Sequence, residues 1–337
     1  MNFTSIGDLA TGLQMRQQNQ QLKAHLNRLS SEVISGVRQD VGKAVSGDFV
    51  ALSGIERGLR TLEAYKLSTD EAALFTGTLQ TALSRVAEVG AGLGAPLLAA
   101  ATTANPVQVD ALAHAARQQF GAMVGALNLR VADRYALSGA ATGTPPLAGA
   151  ETILSALQGA VAGAATIGDI ADAVTDWFDA PAGGGGFLDV AYQGADAGLA
   201  PFLLAEGEAA DMSLTAADPR LRAAMAGVAL AALLDGGLMA GDPAARGQIA
   251  ERAGSWILTA EPGLTGLRAE LGSTEARIDE AATRNAAEAS SLGIARNSLI
   301  GADPYDSAAE LEAVRTQLET LYTLTARIAQ LSLADYI

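Results

Sequence analysis

The sequence predicts a mainly α fold: a discontinuous rod of long helices, with paired terminal coiled-coil helices and a small inserted α/β domain. Three observations predict it. Both ends carry apolar residues at alternating steps of three and four, the rhythm of a helix that buries one narrow stripe against another helix. The first proline is Pro96, aromatics make up only 4% of 337 residues, and Ala, Leu and Glu recur, a composition that favours helix. Residues 141–263 hold 19 of the 37 glycines and seven of the ten prolines, so long helices are not expected there and a compact insert is.

At the N-terminal end Met15, Asn19, Leu22, Leu26, Leu29 and Val33 follow at steps of 4, 3, 4, 3 and 4, with Gln17, Gln18, Gln20, Gln21, Lys23 and Arg28 on the other faces. Asn19 is the polar member of this stripe, and a buried Asn costs stability but fixes register. Gly36, Gly42 and Gly47 then mark a joint. From Val50 a second pattern runs through Ile55, Leu59, Leu62, Phe75, Leu79, Leu83, Val86 and Val89. Gly90, Gly92, Gly94 and Pro96 are expected to end it. Asn105 before Pro106 reads as a fresh cap, and Leu112, Ala116, Phe120, Met123, Leu127 and Val131 continue as the return arm of a helical hairpin.

Within residues 141–263, Leu188, Val190 and Tyr192 alternate with polar or small neighbours, as do Met212 and Leu214, which gives two strand candidates. Helical patterns surround them at 151–161, 167–178 and 219–234, the last behind Asp218, and the tetraglycine 183–186 reads as a flexible loop between a helix and a strand. Helix resumes at 264–299. The terminal stripe, Leu311, Val314, Leu318, Leu321, Thr325, Ile328 and Ser332, steps by 3 and 4 throughout. Asp303 before Pro304 suits a cap, and Ser307 with Glu310 reads as a capping box. A helix of about 30 residues is about 45 Å long and needs a partner of similar length. The expected division is 1–45 with 304–337 as a terminal coiled-coil segment, 46–140 with 264–303 as a helical rod, and 141–263 as the insert.

A net charge of −15, from 37 acidic and 22 basic residues, argues against nucleic acid and against an anionic membrane as partners. The absence of cysteine excludes disulfides, thiolate metal sites and cysteine nucleophiles. Residues 1–12 lack a basic start before an apolar run, so no conventional signal peptide is expected. The most apolar run, 223–234, is 12 residues long, too short to cross a bilayer.

Chemical motifs are weak. Between Gly36 and Gly42 lie five residues where a phosphate loop has four, and Ala44 follows Lys43 where a magnesium-ligating hydroxyl belongs. Gly90, Gly92 and Ala95 follow a helix pattern instead of the strand a dinucleotide fingerprint requires. Two histidines, His25 and His114, exclude a multi-histidine metal site. Gly159 and Gly163 mark only a small-residue helix face. No catalytic residue, cofactor or metal ligand is nominated, and the candidate functional residues are the assembly seam: Met15, Asn19, Leu22, Leu26, Leu29, Val33, Leu311, Val314, Leu318, Leu321, Thr325 and Ile328.

Both ends carry a resemblance. Ser35, Gly36 and Arg38, then Ser46 and Asp48, then Ala51, Glu56, Leu59, Leu62 and Tyr65 resemble the N-terminal region of the bacterial flagellin family. Tyr135 to Gly139, followed by Thr144 and Pro145, is similar to the segment that leaves the helical hairpin in its hook-associated branch. Asn297, Asp303, the terminal stripe and the ending Ser332 to Ile337 are similar to that branch's C-terminus. Phe49 stands where the family usually has proline, and Leu137 where it has an aromatic. The resemblance covers roughly residues 10–140 and 264–337 and leaves the insert out.

This resemblance implies a structural, non-enzymatic subunit joining hook to filament, exported by the flagellar type III route to the cell exterior. Its implied partners are the first hook-associated protein, flagellin, further copies of itself and an export chaperone. Two alternatives stay open: a filament-forming flagellin, and a secreted enzyme with its site in the insert. A few buried Leu, Ile or Val at about 1.5–3 kcal/mol each barely offset the ordering of the terminal segments, so these are expected to be partly disordered in the free subunit.

Overall fold

Apolar stripes set the lengths of the helices in the computed structural model, which describes residues 3–334, with side chains at residue 10 and across 12–327. In chain order the elements are α1 (Phe3–Ser35), α2 (Val41–Ala44), α3 (Val50–Thr102), α4 (Pro106–Leu127), β1 (Arg130–Val131), β2 (Arg134–Tyr135), α5 (Ala150–Val161), α6 (Ile167–Asp179), α7 (Phe187–Val190), β3 (Leu199–Ala205), β4 (Glu208–Met212), α8 (Pro219–Asp235), α9 (Pro243–Ile300) and α10 (Pro304–Ala334). They form two compact units, 1–63 with 286–337 and 64–285. The fold is mainly α, with long helices and a small strand region.

In the unit of residues 64–285 the core is built on α8. From Ala224 to Leu234 every residue of this helix is buried, as expected of a helix that is apolar all round. It packs on α4, α5 and α6. Asp218 caps it by accepting from Arg220 N at 2.8 Å, as Asn105 caps α4 by accepting from Gln108 N at 3.2 Å. Phe75 of α3 meets Phe202 of β3 at 5.8 Å between ring centroids. The β3–β4 hairpin is antiparallel, pairing Phe202 with Ala210 and Leu203 with Ala209. Asn285 of α9, itself buried, donates to the Leu204 carbonyl at 2.7 Å.

Several boundaries differ from expectation. α3 does not stop at Gly90–Pro96 but runs to Thr102, and α9 starts at Pro243 and passes through Pro262. At Gly94 and Gly254 glycine is kept inside these helices by close approach, not by chain reversal. A Cβ on Gly94 would lie 3.0 Å from Leu258, and one on Gly254 would lie 2.8 Å from the Gly94 carbonyl oxygen. Pro96 and Pro262 are solvent-exposed, so the carbonyl each leaves unpaired one turn earlier is open to water.

The strand candidate at 188–193 is instead the helical turn α7. Its Asp189 carboxylate accepts from Gly183 N at 2.8 Å and Gly185 N at 2.6 Å, which ties the tetraglycine down as an ordered loop between two helices. Buried Phe187 stacks on Phe178 at 5.4 Å. The strand that does form, β3, was hidden by Pro201, and its pairing is irregular between Leu199 and Phe202, beside that proline. Met212 ends β4, while Leu214 lies beyond it.

Candidate assembly interface

In the unit of residues 1–63 and 286–337, α1 and α10 pack along each other in antiparallel sense. At one end Val37 and Gly301 form an antiparallel bridge, with Arg38 N donating to the Ile300 carbonyl at 2.8 Å and Ala302 N to the Gly36 carbonyl at 3.0 Å. Toward the other end Thr325 Oγ1 lies 3.9 Å from Met15 Sδ. α10 starts where Asp303 Oδ1 accepts from Tyr305 N at 2.8 Å. The capping box read at Ser307 and Glu310 is not used: Ser307 is already inside the helix and buried, because Asp303 takes the cap one turn earlier.

The stripe residues are placed as follows. Leu29, Val314 and Leu321 are buried. Met15, Asn19, Leu22, Leu26, Leu311 and Leu318 are half-buried. Val33 is 38% exposed, and Thr325 is exposed beside Met15. The side chain of Ile328, like Ser332 and the ending Asp335 to Ile337, lies outside the described residues.

Three participants were not singled out by periodicity. Tyr322 receives hydrogen bonds from Asn19 and from Lys23, which hold its phenol below the usual tyrosine range because both donors favour the charged form. Lys23 Nζ also sits 5.9 Å from the centre of its ring, a cation–π distance. Asn19 therefore bonds across the helix pair rather than to another stripe residue. Next to Val33, Glu32 is the buried residue, and its Oε1 accepts from Gln39 N at 2.9 Å; only the turn at Gly36, which brings Gln39 back over α1, makes that bond possible. His25 lines a groove of about 550 Å³ with Gln18, Gln21, Leu22, Gln317 and Leu324. Its Nε2 is buried without a hydrogen-bond partner among the described residues.

Near the joint, Asp40 caps α2 by accepting from Lys43 N at 3.1 Å, and Ser46 and Gly47 take positive φ of 54° and 82° to turn the chain into α3. Large apolar side chains are exposed around it: Ile34, Phe49, Val50 and Tyr305. Exposed apolar surface of this kind commonly marks an interaction site. Among the described residues no group of three or more His, Asp or Glu is arranged to hold a metal, and no helix is long and apolar enough to cross a membrane. The geometry offers contact surfaces.

Residues 256–337 match the family described as the bacterial flagellin C-terminal helical region. Among solved structures the chain is similar to a Vibrio parahaemolyticus protein provisionally named as a flagellar hook-associated protein, at 14% sequence identity and a TM-score of 0.50, covering 76% of this chain and 100% of that one. At that identity the likeness is one of fold. No curated protein matches the chain. The C-terminal part of the chain is thus similar to a flagellin-type helical region, within a mainly α, flagellin-like fold.

Proposed function

We propose that this chain, of the flagellin family by its C-terminal helical region, is a hook-associated subunit that joins hook to filament in the bacterial flagellum. The observation that carries this reading is the packing of α1 on α10, which joins the two ends of the chain in one pair of helices more than 30 residues long each. A pair of this length with a partly buried stripe has apolar surface left to offer to neighbours. In the assembly the stripe residues, from Met15 to Val33 and from Leu311 to Ile328, pack as a coiled coil and present the remaining faces to further copies, to the first hook-associated protein and to flagellin. The subunit reaches the cell exterior through the flagellar export apparatus, with a chaperone holding its terminal helices on the way. The three-part division is retained with it: terminal segment 1–45 with 304–337, rod 46–140 with 264–303, insert 141–263.

Hydrogen exchange tests it, on the purified chain alone and bound to hook–filament material that contains the first hook-associated protein. Residues 10–40 and 305–327 are expected to exchange faster alone than when bound. Equal, full protection in both states makes the helix pair ordinary core and removes the mechanism. The second reading, a filament-forming flagellin, is favoured by the family match of residues 256–337. It requires the purified chain to polymerise unaided, which sedimentation after seeding decides.

A further inference from the structure

Charge is one-sided in the middle of the chain. From Tyr135 to Pro219 there are eleven Asp and Glu and no Lys, Arg or His. Four of the eleven, Asp169, Asp172, Asp176 and Asp179, follow at steps of 3, 4 and 3 and are exposed along one face of α6. Asp169 serves the helix itself, in the capping box with Thr166. The other three work against it: like charges three and four residues apart repel, and Asp179 puts an anion at the negative end of the helix dipole. Among the described residues Asp172 and Asp176 meet neither a donor nor a cation, and the one cation at Asp179 is Arg222, at 3.8 Å.

The same face borders a pocket of about 250 Å³ between α6, α8 and α9. Buried Phe178, Ala226 and Ala260 line it together with half-buried Trp256, and exposed Ala223 and Asp179 lie at its rim. The other two walls are balanced in charge. α8 with its cap holds Asp218 and Asp235 against Arg220 and Arg222, and residues 243–270 of α9 hold three acidic and three basic residues. The three walls are thus net −4, all of it from the four aspartates of α6, inside a unit whose 24 acidic and 12 basic residues make it −12. From Asp169 to Asp179 the acidic row is about 15 Å long, which a small molecule filling the pocket does not span and a polypeptide does. We propose that this groove docks a basic segment of a partner protein. One large apolar side chain of that segment enters the pocket beside Trp256, and its Lys or Arg residues lie along Asp172, Asp176 and Asp179. The apolar anchor supplies affinity, and the opposite charges supply steering and register. The site belongs to the 64–285 unit and does not rest on the assembly reading above.

The probe is a synthetic peptide of about 14 residues, long enough to follow the acidic row, with lysines at steps of three and four and one phenylalanine at its end. It is titrated into the full chain by calorimetry at about 0.05 M and about 0.5 M salt, where screening differs strongly. Binding should weaken at least about tenfold in high salt and at least about tenfold when alanine replaces the phenylalanine of the peptide. It should weaken at least about fivefold in a chain carrying Asp172→Asn with Asp176→Asn. That pair of changes removes like-charge repulsion and keeps side-chain size, so the fold is retained, which thermal unfolding followed by circular dichroism checks. Ala223→Leu, at an exposed position, fills the pocket and should match the loss of the peptide's phenylalanine. With benzoylphenylalanine in that place, irradiation should link the peptide to residues 175–179, 223–226 or 256–260. Equal binding of the two peptides, equal binding by the Asn variant, links elsewhere, indifference to salt, or no binding up to about 1 mM overturns the site. Phenylalanine amide binding as tightly as the peptide replaces the protein segment with a small ligand, and self-association of the chain that is lost on Ala223→Leu puts a second copy there; either result overturns the proposed partner.

Discussion

Gly254 and Gly266 are both interior residues of α9, yet the same substitution should move them in opposite directions. A Cβ on Gly266 meets nothing within 4 Å, so Gly266→Ala keeps only the conformational benefit, about 0.5–1 kcal/mol of added stability. A Cβ on Gly254 would lie 2.8 Å from the Gly94 carbonyl oxygen, 3.0 Å from Leu98 Cγ and 3.2 Å from Leu97 Cβ. The first of these is backbone and cannot rotate away, so α3 and α9 must part by about 0.6 Å to reach an ordinary 3.4 Å contact. Overpacking of this kind costs about 1–3 kcal/mol, which outweighs the propensity gain. The propensity gain is common to both, so the two variants should differ by about 1–3 kcal/mol in urea unfolding at unchanged m-value, or by roughly 2–12 °C in Tm for a unit of this size. If Gly254→Ala stabilises as much as Gly266→Ala, close approach is not what keeps glycine in α9, and the explanation of the unbroken helix falls with it.

Leu29→Ala removes a side chain that is 1% exposed in α1; a loss of about 2–5 kcal/mol is expected, seen as faster hydrogen exchange in α1 and α10 with residues 64–285 unchanged. Asn285→Ala leaves the buried Leu204 carbonyl without its 2.7 Å donor and should destabilise the β3–β4 hairpin by about 1–3 kcal/mol, measured by exchange at 199–212. The Gly183 and Gly185 amides hold the Asp189 carboxyl below the usual carboxylate range. A lowered folded-state value means its stabilisation is present above about pH 4 and is lost as pH falls through the folded value. Asp189→Asn should thus lose stability at neutral pH and show a flatter acid limb, whereas an unchanged acid limb refutes the tie to the tetraglycine loop.

What was legible in the sequence was local. The terminal stripes, the caps at Asn105, Asp218 and Asp303, and the helices at 151–161, 167–178 and 219–234 depend on side chains within one or two turns of each other, and a helix repeats its own geometry. Where the reading erred, the deciding partner was distant in sequence. Gly94 and Gly254 look like breakers until a facing helix occupies the space a Cβ would need, with the Leu258 and Ile257 side chains at Gly94 and the Gly94 backbone at Gly254. The tetraglycine looks loose until Asp189 gathers its amides, and Pro201 argues against a strand until β4 supplies the pairing. At the interface the spacing of Asn19 was visible but its bond to Tyr322 was not, and Glu32 has no periodic signal at all. Residue types and their rhythm determine which segments become helices. Which face is covered, by what, and where a helix may continue through glycine or proline is decided only when two elements compete for the same few ångströms.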